Sequence, residues 1–343
     1  MSNLSKKYIG TWIYLDTPEE ESKFPNNKGK SSTPEFQAVY WRCVIVFFES
    51  SIRCHGGLND VQHILFTNTA NLPIIDGLDL DIYFKDNNIK VVQLENKYPL
   101  PKNYFTSFRN QFFEFSIIDK MATIMDDNDC FLLLDSDCIF SKSIYNQFDV
   151  LETTPAQTLT MSYGDNYVIH GITRIQMQKL FHELGLAIKE VPLYCGGELL
   201  LTTGAFIKEV AKDFPKMFAF LLDKNDKGLP KFNEEAHVLS FYYYKHGALI
   251  GNMNKMAKRM WTNRNVYRNI KKGDEELYIW HMPNEKPVGF ANSYKFLAKG
   301  NRFNDLSDDE YTEFIRKTFL KASNHKIDIP RYARAQFKKI LAS

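Results

Sequence analysis

The stretch FLLLDSDCIF, residues 131–140, drives Asp135 and Asp137 into the end of an apolar run. Two carboxylates partly withdrawn from water and two residues apart repel each other, and a divalent cation removes both costs. Mg2+ or Mn2+ takes oxygen ligands and bridges carboxylates to phosphate oxygens. The triplet by itself means little, because Asp79-Leu80-Asp81 and Asp127-Asn128-Asp129 share it. Only Asp135-Ser136-Asp137 follows four apolar residues. The plainer alternative is a strand that ends in a polar turn.

Three later stretches carry further polar groups. LYCGGELLLTTG sets Gly196 and Gly197 against an apolar strand, which suits a place where a ligand or another backbone comes close. A β-bulge is the alternative there. NEEAHVLS offers Glu234, Glu235 and His237. On a helix the two adjacent acids point about 100° apart, so only one can face a given pocket. That one could act at an anomeric carbon as nucleophile, electrostatic stabiliser or base; otherwise the pair complements a helix dipole. YIWHMPNEKP sets His281 after a strand-like run, with Lys286 five residues on. His281 suits a nitrogen ligand on the same metal and Lys286 a phosphate counter-charge. A core histidine with satisfied partners is the alternative.

The elements that must position these groups alternate between strand and helix. YIGTWIYLDT predicts an opening strand over Tyr8–Leu15, followed by a polar loop over 18–34. FQAVYWRCVIVFFESSIRCHGG predicts a buried helix closed by Gly56 and Gly57. VQHILFTNT is a second strand, and DIYF and IKVVQLE are short strands about the turn Asp86-Asn87-Asn88. YFTSFRNQFFEFSIIDKMATIM has helical periodicity, and CFLLLD is apolar throughout, as the centre of a covered sheet requires. The second half is more mixed: helices over ITRIQMQKLFHELG and AFIKEVAKDFPKMFAFLL flank the glycine-broken strand. NEEAHVLSFYYYKHG reads as a helix with Asn233 as its N-cap. The class is α/β, with a mostly parallel, doubly wound sheet whose ligands bind beyond the C-terminal strand ends, where Asp135 lies.

The 343 residues hold 43 Lys and Arg against 41 Asp and Glu, a net charge of +2 that gives no reason to expect nucleic acid as partner. The 44% hydrophobic content supports a substantial core, and 14% aromatic content suits stacking on bases or sugar rings. Five cysteines without ligand spacing read as reduced thiols of a cytoplasmic protein. No segment reaches the roughly 18 uninterrupted apolar residues of a membrane span. The basic, amphipathic IPRYARAQFKKILAS at the end suits either a packed terminal helix or peripheral contact with an anionic membrane.

In this order, a strand ending in D-x-D, a glycine-pair strand, an acid-rich helix start and a late His with Lys-Pro resemble the retaining glycosyltransferases of the GT-A fold. HMPNEKP is similar to the H-x-x-G-x-x-K-P element of glycosyltransferase family eight, the glycogenin-like enzymes, though one residue shorter and without the glycine. EEAHVLS resembles the D-E-S-H-L-N element of family six, the blood-group-type transferases. The likeness is one of motif order across roughly residues 8–290 and does not choose between the families.

The resemblance implies a Rossmann-like GT-A domain over 1–290, with a nucleotide-sugar half to about 145, an acceptor half beyond it, and a C-terminal helical extension over 291–343. It implies a nucleotide diphosphate sugar donor, UDP-linked, whose pyrophosphate is held by Mn2+ or Mg2+ on Asp135, Asp137 and His281. Lys286 and Ser136 would attend the diphosphate; Tyr14, Asp16 and Thr67 the base and ribose; Arg109 and Lys120 the pyrophosphate or sugar. Glu235 would face the anomeric carbon, giving retention, with Gly196, Gly197 and His237 on the side of a glycan or lipid-linked glycan acceptor. Glu234 and Glu235 lie 97 and 98 residues beyond Asp137, which also suits the general base of inverting GT-A enzymes. Sugar-phosphate nucleotidyltransferases share a related sheet, but YIGTWIYLD lacks their glycine-rich loop with its arginine. A non-catalytic nucleotide-sugar-binding protein is the other alternative. A cytoplasmic enzyme with a basic tail suggests polysaccharide assembly on a lipid carrier at the inner membrane face.

Overall fold

A computed structural model of the protein describes residues 5–22, 29–105, 107, 109–263 and 266–321. The basic tail over 329–343 lies outside the described residues.

Strand β1 (Lys7–Ile13) leads into helix α1 (Pro34–His55), which starts where the Thr33 side chain accepts from the Phe36 N–H and proline occupies the first turn. Strand β2 (Val61–Thr67) returns beside β1. A small hairpin, β3 (Ile74–Ile75) and β4 (Leu78–Asp79), precedes helix α2 (Leu80–Asp86). Here DIYF is helical rather than extended: Asp79 caps the Ile82 N–H, and Leu80, Tyr83 and Phe84 bury one helical face. Strand β5 (Lys90–Gln93) and helix α3 (Phe113–Ala122) follow, the helix spanning less than the periodic stretch suggests. Strand β6 (Cys130–Leu134) is buried at every residue.

The chain continues through β7 (Cys138–Phe140), α4 (Asn146–Val150), β8 (Ala156–Gln157), β9 (Thr160–Met161) and α5 (Arg174–Glu183). The glycine-broken strand divides into β10 (Tyr194–Cys195) and β11 (Leu199–Thr203), before the long helix α6 (Gly204–Asp226). Helix α7 (Glu235–His246) has Glu234, not Asn233, at its N-cap. The Asn233 side chain is drawn away to donate to the His170 carbonyl at 2.9 Å. Strands β12 (Ala257–Arg259) and β13 (Ile279–His281) and helices α8 (Ala291–Leu297) and α9 (Asp308–Ile315) complete the described chain.

The central sheet has the order β5-β2-β1-β6-β11-β8. Its first four strands are parallel, and β11 runs antiparallel to both its neighbours. From β1 the chain winds outward through β2 and β5, then crosses back to β6 on the other side. The strand order therefore reverses between β1 and β6, where open α/β sheets bind ligands. Both faces are covered, as the uninterrupted apolar run of β6 requires. Leu132 and Leu134 point into a core with α1, α8 and α9, and Phe131 and Leu133 into one with α3, α6 and α7.

Beneath α1, Ser51 Oγ lies 2.9 Å from His63 Nε2 and 3.5 Å from His55 Nδ1, and His55 Nε2 accepts the Ile144 N–H at 3.1 Å. Burial pulls both imidazoles from 6.5 down to about 4. The stability that this neutral pair contributes is complete above pH 6.5 and is lost as pH falls toward 4. Imidazole nitrogen NMR at pH 5.5 should show both rings uncharged; an imidazolium signal from either would contradict the packing described.

Candidate active site

Three short pairings bring the polar groups to the switch point. Strand β6 delivers Asp135 at its C-terminal end, next to the C-terminal end of parallel β1. Because β11 is antiparallel, its N-terminal approach reaches the same edge: Leu199 registers with Leu134, and the Asp135 N–H donates to the Glu198 carbonyl at 3.2 Å. Strand β13 pairs antiparallel with β7, placing His281 opposite Cys138 and the Met282 N–H on the Asp137 carbonyl at 2.9 Å. A small sheet, β12-β13-β7, thus carries His281 back to the aspartates.

These groups line one cleft of about 220 Å³. On its β1 side stand Trp12, Tyr14 and Asp16, with Phe36, Gln37 and Tyr40 from α1; Asp135, Ser136 and Asp137 lie centrally. Gly197, Glu198, Tyr194, Glu234, Glu235 and His170 form the β11 side.

Asp135, Asp137 and His281 each offer a ligand atom within 4.8 Å of the others. His281 Nε2 lies 3.3 Å from Asp137 Oδ1 and 3.6 Å from Asp135 Oδ2. Its Nδ1 is 3.3 Å from Glu198 Oε1, the carboxylate–histidine arrangement that orients a metal-ligating imidazole. Two carboxylates and one imidazole form the mixed oxygen and nitrogen set that Mn2+ or Mg2+ accepts, so the residues present fit such an ion. Lys286 pairs with Asp137 Oδ2.

The charges balance tightly. Burial opposes the Asp137 carboxylate, but Lys286 and His281 outweigh it and hold the group well below the usual range. Burial likewise opposes the His281 imidazolium, yet Asp137 and Glu198 lift it to about 9. Asp135 is raised to about 6 by burial and by the charges of Asp137 and Glu198, against His281 and Lys286.

Glu198 is buried, and Arg259 and His281 overcome the burial penalty to bring it down to about 2. Arg259 Nε donates to Glu198 Oε1 at 2.9 Å in a bidentate pair. Glu198→Ala strips a buried guanidinium and His281 of one shared partner. A loss of about 3–5 kcal/mol in urea unfolding is expected; a variant as stable as the parent would contradict that role.

Glu234 accepts from the Tyr194 hydroxyl at 2.7 Å, with His170 Nδ1 at 3.3 Å and His237 Nε2 at 3.6 Å. Burial and the Glu198 charge raise it to about 8, although Tyr194 and Arg259 pull the other way. Glu235 is pushed well above its ordinary value by burial and by Glu234, Glu114 and Asp135. Its Oε2 is buried without a hydrogen-bond partner among the described residues.

The glycine pair has a clear cause within the chain itself. A Cβ at Gly196 would collide with Glu198 Oε2, and one at Gly197 with Glu235 Oε1. What comes close is the protein's own buried carboxyl groups.

Ten of the expected residues line the cleft: Tyr14, Asp16, Asp135, Ser136, Asp137, Gly197, Glu234, Glu235, His281 and Lys286. Asp16 is occupied there within the chain, accepting from Ser22 N–H at 2.9 Å, Ser31 Oγ at 2.5 Å and Asn110 Nδ2 at 2.6 Å. Thr67 is not on the wall: it is fully buried at the end of β2, and Asn68 bridges to both backbone groups of Leu15 beside it. Arg109 is displaced by its neighbours Asn110 and Gln111, which do line the cleft. Lys120 is exposed in the last turn of α3, about 10 Å along the axis from that helix's first residue. Gly196 lies one residue back from the wall, and His237 is fully buried behind Glu234.

Sequence reasoning missed Glu198, Arg259, Tyr194, His170 and Glu114. Glu198 and Glu114 carried the signal that exposed Asp135, an acid set among apolar residues: GGELLL and FFEFSII. Glu114 is buried and raised well above its usual value, chiefly by that burial and then by Asp135. Arg259 and His170 had no local signal, since pairing distant in sequence places them.

No family model matches the chain, and no curated protein sequence matches it. Solved structures do. An active-site mutant of LgtC is 13% identical, covering 85% of this chain and 95% of its own, with a TM-score of 0.49. The galactosyltransferase LgtC in complex with donor and acceptor sugar analogs is 12% identical, covering 94% and 98%, at 0.47. Mouse xyloside xylosyltransferase 1 in its apo form is 11% identical, covering 80% and 97%, at 0.45.

Proposed function

We propose that the protein is a GT-A-type glycosyltransferase that uses Mn2+ or Mg2+ to move a sugar from a UDP-linked donor to a glycan or glycolipid acceptor. One observation carries this reading: a single cleft at the strand-order reversal joins an Asp135–Asp137–His281 group able to hold a metal ion to a pair of buried carboxyl groups, Glu234 and Glu235. The base and ribose lie on the β1 side among Tyr14, Phe36 and Tyr40, and the diphosphate lies over Asp137 and Lys286. Asp135, Asp137 and His281 would hold a divalent ion, which would supply neutralisation of the diphosphate charge. Lys286 adds a fixed positive charge where the leaving group gains negative charge. Glu235 faces the sugar carbon and, in its ionised form, stabilises or traps the positive centre there, so transfer proceeds with retention.

A second reading has its own support. Glu234, held by Tyr194 and His170 and raised to about 8, is a carboxyl group that acts as general base for an inverting transfer once it has lost its proton. In either case the acceptor is a hydroxylated glycan, not nucleic acid. Among the described residues no helix is long and apolar enough to cross a membrane. The reading extends to a cytoplasmic enzyme in polysaccharide assembly whose basic tail contacts the inner membrane face.

A screen of UDP-, GDP- and CMP-sugars for Mn2+-dependent hydrolysis tests the activity, and NMR of the product's anomeric configuration tests the stereochemistry. Hydrolysis of at least one UDP-sugar is expected, and an α-linked product from an α-linked donor. A β-linked product would move the assignment to Glu234; hydrolysis of none would overturn the reading.

A further inference from the structure

The loop between β9 and α5 carries an aromatic pair that the transfer chemistry leaves unused. Tyr163 and Tyr167 stack face to face, with ring centroids 5.1 Å apart and planes within 5° of parallel. Tyr167 is 57% exposed and Val168 beside it 59%.

The loop is built to hold them. Buried Arg174 donates from one guanidinium nitrogen to the Tyr163 carbonyl and to Asp165 Oδ1, each at 2.8 Å. Its other nitrogens reach the Pro192 and Val191 carbonyls at 2.7 and 3.1 Å. Ile169 and Ile172 exchange backbone hydrogen bonds at 2.8 and 3.1 Å. Between them His170, at φ +44°, turns into the cleft wall. One end of the loop is therefore part of the cleft and the other presents the tyrosines.

The pair is also continuous with the reacting groups. Tyr163 meets Tyr194 edge-on at 5.8 Å, and the Tyr194 hydroxyl donates to Glu234. Tyr167 thus stands two ring contacts from a cleft carboxyl. The sheet order sets the direction: β1 lies on one side of β6, and β11 on the other, with the β9–β10 ribbon leading into β11. A donor with its base at β1 and its diphosphate at Asp137 would direct its sugar toward Glu234, the side of the cleft on which Tyr194 and, next to it, Tyr163 stand.

We propose that Tyr163 and Tyr167 form a binding platform for a pyranose ring of the acceptor, at least one unit outside the hydroxyl that receives the sugar. This rests on the glycosyltransferase reading. A pyranose turns a face of C–H groups to an aromatic ring and leaves its hydroxyls at the edge, where exposed Asp165 and Asn166 of the same loop offer polar groups. The acidic side chain and the exposed Val168 suit an uncharged hydroxylated ring better than an anion.

Saturation-transfer NMR on the full chain with lactose, maltose, cellobiose and chitobiose tests the platform. At least one disaccharide should receive saturation on its ring protons. Its binding should weaken by roughly tenfold in Tyr167→Ala and remain in Tyr167→Phe, because the ring and not the hydroxyl makes the contact. Binding by none of the four, binding indifferent to Tyr167→Ala, or equal loss in Tyr167→Phe would each overturn the proposal. Thermal stabilisation of the wild-type chain by UDP-glucose with Mn2+ is a separate arm. Its absence counts against the transferase reading, while ring-dependent disaccharide binding would still stand as a sugar site.

Discussion

Asp135→Asn and Asp137→Asn each lower Mn2+ affinity by about a hundredfold, since each replaces an anionic oxygen ligand by a neutral amide and even outer-shell changes cost 10–100-fold. Only one of them also costs stability. The Asp137 side chain is 5% exposed and accepts from Lys286, itself 12% exposed. Removing its charge leaves a buried ammonium without its partner, a loss of about 3–5 kcal/mol. The Asp135 side chain is 37% exposed, and its ion-pair partner is the imidazole 3.6 Å away. Its ionised form is already disfavoured, so Asp135→Asn should be neutral or mildly stabilising. Metal titration and urea unfolding of both variants separate the two effects. Equal stability losses would contradict the Lys286–Asp137 pairing, and unchanged Mn2+ affinity would contradict the ligand set.

Glu235→Gln should lower turnover by roughly 10²–10⁴-fold while donor affinity stays within about twofold. The amide fills the same space beside Gly197 but can neither accept a proton nor stabilise a cationic carbon. Glu234→Gln distinguishes the two mechanisms through pH. Glu234 is protonated below about 8, so a reaction that needs its carboxylate gains rate as pH rises through that value. If Glu234 is the base, Glu234→Gln abolishes this limb together with most of the rate. If Glu235 acts at the sugar carbon, the amide at 234 leaves the larger share of the rate. A Glu235→Gln enzyme with parental turnover would overturn the retaining assignment.

The parts of the site legible in the sequence are those whose physics is local. The carboxylates of Asp135 and Asp137 stood out because four buried apolar residues precede them, and that run could only be a covered central strand. The glycine pair was legible as a crowded place, though not what crowds it, because Glu198 and Glu235 reach it from different elements. The run DIYF suggests a strand by composition, but Leu80, Tyr83 and Phe84 have helical spacing and Asp79 caps the helix that forms. Asn233 does not cap its helix because its amide donates instead to the His170 carbonyl of the neighbouring loop. Arg259 and the Glu198–His281 contact depend on the pairing of β12, β13 and β7, strands of three residues each, and β13 finds β7 more than 100 residues away in the chain. Such short strands carry almost no periodicity to read. Thr67, Arg109 and Lys120 lie close in sequence to strand ends or to β6, and proximity in sequence does not say which way a side chain faces.

The central claim is that Asp135, Asp137 and His281 hold an ion that in turn holds a diphosphate. Electron paramagnetic resonance of Mn2+ titrated into the full chain, with and without UDP, measures that coupling directly. By thermodynamic reciprocity, each ligand should tighten the other's binding by the same factor, roughly 5- to 150-fold. The account predicts that UDP removes free Mn2+ signal in the wild type and not in Asp135→Asn. Mn2+ binding that ignores UDP, or that survives the loss of Asp135, would contradict it.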